Sequence, residues 1–172
     1  MEKNITIIRD DILLALLPDV PFDGWCRDMM GAAAERVGYD RDMAGAVFPG
    51  GLSDVMLHFA DWTDRKMLEA LAQYDMQSLR IRDRIKTAVM VRLQILQEYR
   101  EAEKRALSYW SLPSRSLKAG KILWRTADRI WIWAGDTATD YNHYTKRGLL
   151  SGVISATMLV WLGDETEELE ET

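Results

Sequence analysis

Between residues 6 and 162 the apolar residues recur three and four positions apart, and no segment alternates with period two for long enough to build a sheet. A chain patterned in this way can only pack helix on helix, so the expected fold class is all-α. Glycine and proline set the breaks. The spacing predicts helices over about 6–17, from Trp25 to a stop at Gly38, and over 40–48, 53–74, 79–110, 117–134 and 141–162. The longest of them, 79–110, has room for an internal break. Pro113 closes it because proline cannot continue the hydrogen-bond ladder. The uncharged apolar run 148–163 is shorter than the roughly 20 residues a spanning helix needs and contains Ser151, Ser155 and Thr157, so a buried helix is expected there.

At 172 residues the chain suits one domain. The lone Cys26 excludes an internal disulfide and a thiolate metal cluster, which fits a reducing compartment. The first residues, MEKNITIIRDD, show no export or import signal. The net charge of -5 is unevenly spread. Six of the 27 acids fall in residues 164–172, which leaves 22 bases against 21 acids before them. Residues 80–129 alone hold 13 bases and 5 acids, a balance suited either to a solvated helical face or to an anionic lipid surface.

The stretch AGDTATDYNHYTKRGLL, residues 134–150, crowds charged and aromatic groups between two apolar segments. Part of that is a helix junction: Gly135 stops one helix, and Thr139 or Asp140 is placed to cap the next. The junction does not explain His143, Tyr144 and Arg147, which share one helical face with Asp140 by their spacing of three and four. Catalysis there lacks support in the residues. The two histidines, His58 and His143, sit in no nucleophile context, and no His-x-x-x-His or Glu-x-x-His pair supplies a metal site. The expectation is therefore a non-enzyme with no cofactor and no metal.

These residues resemble a known family. The 134–150 stretch, with TADRIW before it and ATMLVWLGD after it, is similar to the signature of the ubiquinone-biosynthesis accessory protein family, the lipid-binding ninth Coq protein and its bacterial relatives. FPGGLSDVMLHFADWTDRKM, RIRDRIKTAVMVRL and REAEKRALSYWSLP match in the same order and extend the resemblance over nearly the whole chain. It implies a TetR-regulator-like helical bundle. Residues 1–51 would form a vestigial helix-turn-helix-like part, 52–163 a lipid-binding part whose carboxy-terminal helices make a homodimer interface, and 164–172 an acidic tail.

The implied role is to bind an isoprenoid lipid and present the ubiquinone precursor to the pathway's di-iron hydroxylase, with peripheral membrane contact. Asp140, Asn142, His143, Tyr144 and Arg147 fall on the implied docking surface. His143 departs from the family pattern, since a tryptophan commonly stands there in the mitochondrial relatives. Relatives also continue into an amphipathic membrane helix past the segment resembling 165–172. The expected location is bacterial, cytoplasmic and peripheral at the inner membrane.

The helix at 141–162 is apolar nearly all round from residue 149, more than one small domain buries, so a second copy or a lipid is expected to complete it. A lipid between the last three helices would meet Met90, Leu93, Trp124, Trp131, Leu149 and Val153. The alternative is a TetR-like DNA-binding regulator. Against it, residues 23–51 hold three bases and five acids, and the short recognition helix offers little to read base edges. No nucleic-acid partner is expected.

Overall fold

A computed structural model describes residues 4–164. Among the described residues nine α-helices follow one another: α1 (Ile5–Leu16), α2 (Val20–Asp23), α3 (Arg27–Arg36), α4 (Met43–Val47), α5 (Leu52–Leu71), α6 (Ile81–Gln97), α7 (Arg100–Trp110), α8 (Ser116–Trp133) and α9 (Tyr141–Gly163). Short 3-10 turns fall at Leu17–Asp19, Met76–Ser78 and Pro113–Arg115, and no strand occurs among the described residues. The all-α class holds, and the order of elements is consistent with a TetR-like bundle. The expected break inside 79–110 is real, at Glu98 and Tyr99. Residues 165–172, most of the acidic tail, lie outside the described residues, as does any amphipathic helix beyond them.

The chain divides into two compact units, one holding the residues up to Trp62 with Tyr99–Tyr109, the other Thr63–Glu98 with the residues from Trp110 onward. The division falls inside α5, whose helical pattern runs on without a mark.

In the first unit the Asn4 side chain accepts a hydrogen bond from the Thr6 N–H and starts α1, which buries Ile12, Leu13 and Leu16. Ala33 and Ala34, both fully buried, let α3 pack close against α1. Gly38, at φ 82°, ends that helix in a conformation that costs a side-chain-bearing residue more. His58 on α5 lies 2.7 Å from the Asp10 carboxylate, and the Trp25 indole donates to the Ala102 carbonyl of α7 at 3.0 Å. The helix-turn-helix arrangement of α3 and α4 is present, but α4 has only five residues. Two of them, Ala44 and Val47, are buried, so Met43, Gly45 and Ala46 are what it offers outward.

The second unit is organised around a carboxylate. Asp64, fully buried on α5, accepts from Arg92 Nε of α6 at 3.0 Å and from Arg129 Nη1 of α8 at 3.3 Å. Arg125 Nε stands at 3.5 Å, and the Thr126 hydroxyl lies 2.9–3.0 Å from both carboxylate oxygens. Arg92 is itself buried and reaches the Met158 sulfur of α9 at 4.0 Å. One charge thus ties α5 to α6 and α8. Burial this complete is tolerated only because each oxygen is satisfied.

Helix α9 buries Arg147, Leu150, Ile154, Met158 and Trp161, a stripe spaced by three and four. Two indoles fix it: Trp131 donates to the Lys146 carbonyl at 3.1 Å near its start, and Trp161 donates to Gln97 Oε1 at 2.9 Å near its end. Its opposite side leaves Leu149, Val153, Leu159 and Val160 exposed. The expectation that this helix exceeds what the domain can bury is met on that side. Among the described residues no helix is long and apolar enough to cross a membrane.

Candidate functional site

The junction between α8 and α9 is built from local backbone rules. Helix α8 ends in a Schellman turn, with the Gly135 N–H donating to the Ile132 carbonyl at 3.1 Å and the Asp136 N–H to the Trp131 carbonyl at 2.9 Å. Gly135 supplies the required positive φ of 91°. The orphaned Ala134 carbonyl accepts from Arg84 Nη1 at 2.8 Å. Across the turn, the Asp140 side chain accepts from the Asn142 N–H at 3.0 Å and caps α9, as its position in the sequence indicates.

Arg147 is the centre of this junction. Its side chain is only 3% exposed; Nε donates to Asp128 at 2.6 Å and Nη1 to Asp136 at 2.9 Å. Lys146 Nζ takes the other Asp136 oxygen at 2.6 Å and stands 5.3 Å from the centre of the Trp131 ring. The Lys146 hydrogen bond holds the Asp136 pKa down, aided by Arg147 and opposed by burial. Desolvation alone would lower the Arg147 pKa, but the two carboxylates outweigh it and the net direction is up. The pair is charged at any physiological pH.

This carries a pH prediction. Because Asp136 has a folded pKa below the unfolded carboxylate value of roughly 3.9, its stabilisation is complete well above that pH and is lost as pH falls through the folded value. Asp136→Asn should therefore flatten the acid limb. Chemical denaturation at about pH 3 and about pH 6 should show a smaller stability difference in the variant than in the parent chain.

Of the five residues expected on a docking face, the structure exposes Asp140, Asn142 and Tyr144, half-buries His143 and buries Arg147. The spacing of three and four puts His143, Tyr144 and Arg147 on one side of α9 below the Asp140 cap, and Asn142 falls off that side. That side turns toward α8 at Arg147, where Asp128 and Asp136 need a cation, and turns outward at Tyr144. His143 is tied back, its Nδ1 lying 3.1 Å from the Ala138 carbonyl, and it supports Tyr144 with an edge contact at 5.2 Å. Tyr144 in turn lies 6.2 Å from the Trp124 ring. A cleft of about 470 Å³ opens beside them, lined among others by Asp128, Ile132 and Thr137. Sequence reasoning missed Ile132, which is 60% exposed on α8, and it missed both carboxylates that hold Arg147.

The six residues expected to meet a lipid are spread differently. Leu93 is in the core, Met90 and Trp131 are half-buried, and Trp124 is at the surface. Leu149 and Val153 stand on the outward side of α9. Trp131 lines a second cleft of about 390 Å³ with Ile81, Ala134, Gly135 and Lys146. Among the described residues no group of three His, Cys, Asp or Glu side chains is arranged to hold a metal ion.

The matches to known proteins centre on this same region. The COQ9 family model matches residues 117–172, which take in α8, the junction and α9. Similarity to whole proteins goes further. The chain is 31% identical to the rat protein named ubiquinone biosynthesis protein COQ9, mitochondrial, over 96% of this chain and 55% of the rat protein. These matches make the chain similar to the COQ9 family along nearly its whole length. The human COQ9 protein is 31% identical over 96% of this chain and 54% of its own length. The fruit-fly protein is 28% identical over 96% and 52%.

The chain thus spans about half the length of the curated COQ9 relatives it matches. These relatives also correct the expected location. Each is a mitochondrial protein of an animal, which overturns the bacterial, cytoplasmic and inner-membrane assignment. The lack of an export or import signal in the first residues does not support that location, because the chain spans only about half of its relatives' length.

Proposed function

We propose that the chain acts in ubiquinone biosynthesis as a non-catalytic accessory protein, binding an isoprenoid lipid and presenting the ubiquinone precursor to the pathway's di-iron hydroxylase. The observation that carries this reading is the exposed Tyr144–Trp124 aromatic pair, whose Tyr144 lines a cleft together with Arg147 and its partners Asp128 and Asp136. Aromatic anchors on a rigid support are what dominate protein interfaces. The name of the relatives, ubiquinone biosynthesis protein, supplies the pathway. Asp140 and Asn142 add exposed polar groups near the start of α9.

The outward side of α9 supports the rest of the reading. Leu149 and Val153 leave apolar surface that a second copy of the chain and an isoprenoid tail would share. An apolar strip of this kind on a helix is unfavourable in water and marks an interaction surface.

Tyr144→Ala tests the docking half. Tyr144 is 63% exposed, so its removal should leave the helical circular dichroism unchanged while weakening hydroxylase binding by about 2 kcal/mol, roughly thirtyfold. Titration calorimetry with the purified hydroxylase reads this directly, and an unchanged affinity would clear the face of the role. Mass spectrometry of organic extracts from the purified chain is expected to find a co-purifying isoprenoid. Clean extracts from repeated preparations would remove the lipid half.

A further inference from the structure

We propose that the turn Pro113–Arg115 and the first two turns of α8 form a surface that seats on an anionic phospholipid bilayer. Residues 111–127 hold four bases and no acid; Arg125 turns inward to Asp64 at 3.5 Å, which leaves Arg115, Lys118 and Lys121 at least partly exposed. Three large apolar side chains project among them: Leu112 is 47% exposed, Leu117 83% and Trp124 36%. Leu117, Lys121 and Trp124 follow at intervals of four and three, so they share one face of α8 over about 10 Å.

Chemistry selects the partner. A soluble polyanion would reward the bases and gain nothing from exposed leucines, whereas a bilayer takes up both: leucine enters the acyl boundary, tryptophan settles at headgroup depth, and lysine stems reach back to the phosphates. The backbone permits shallow insertion. Pro113 has no N–H to satisfy, the Arg115 N–H donates to the Leu112 carbonyl at 2.9 Å, and the Ser116 hydroxyl to the Pro113 carbonyl at 2.8 Å. The whole chain carries a net charge of -5, so attraction to anionic vesicles would have to come from a local surface of this kind.

Flotation of the full chain with phosphatidylcholine vesicles, with and without a minor share of phosphatidylglycerol, tests the proposal. The chain should float with the anionic vesicles, and salt should weaken the association. Leu117→Glu should lower the partition at least about tenfold, and Lys121→Glu about tenfold. Both positions are exposed, so circular dichroism should not change. Phe22→Ser, which alters an 84% exposed side chain of the first unit, should float as the parent chain does. Equal flotation with pure phosphatidylcholine, full retention in Leu117→Glu, or loss in Phe22→Ser would each overturn the assignment. So would heparin binding that competes with vesicles while Leu117→Glu has no effect.

Discussion

Arg147→Glu is expected to destabilise the fold by at least about 3–5 kcal/mol, enough to unfold much of the population of a domain at the lower end of the roughly 5–15 kcal/mol range. The substitution would set a third carboxylate against Asp128 and Asp136 and leave Lys146 as the only cation on Asp136 among the described residues. Arg147→Lys should cost less, since it keeps the charge and loses the two-pronged geometry that reaches both acids. Thermal melts followed by circular dichroism rank the three proteins. A melting point unchanged in Arg147→Glu would mean that the buried pairs contribute nothing. The sequence suggests using this residue as a surface probe of docking, and the structure forbids that use. Loss of partner binding in an unfolded variant says nothing about contact, whereas Tyr144 separates the two effects.

Asp64→Ala is the second large effect, expected at about 3–5 kcal/mol. Removing the carboxylate strands the buried Arg92 guanidinium and withdraws the acceptor shared by Arg129 and Thr126. Asp64→Asn keeps one oxygen for Thr126 and Arg92 and should cost about half as much. Replacing the pair together, as Asp64→Leu with Arg92→Met, should recover part of the loss, because an apolar pair is not penalised for lacking partners. Urea denaturation gives each value. If the double variant were no more stable than Asp64→Ala, burial of the orphaned charge would not be the cause of the damage.

The helices were legible because each follows from local chemistry. Gly38 and Gly135 end helices where the chain needs a positive φ, Pro113 blocks continuation, and Asp140 caps α9 by accepting from the Asn142 N–H. Burial of charge was not legible in the same way. Asp64 stands in register with Leu57, Ala60, Met67 and Leu71, and a carboxylate on that apolar stripe was the available signal. What makes it tolerable is Arg92 and Arg129, brought from helices far along the chain. Arg147 shows the same limit. Its helical face could be read from spacing, but whether that face meets water or α8 depends on where Asp128 and Asp136 end up, which is a tertiary fact. Leu149 and Val153 were readable as apolar for the same reason that Leu150 and Ile154 were; only packing separates the two pairs.

The two indole bonds on α9 act as a clamp at each end of an axle. With Trp131 gripping the backbone at Lys146 and Trp161 gripping Gln97, the helix is held against rolling about its long axis. The bearing of Leu149, Val153, Leu159 and Val160 is therefore set before anything arrives. Whatever covers that strip meets a surface already aimed, and less orientational freedom remains to be lost at the moment of contact.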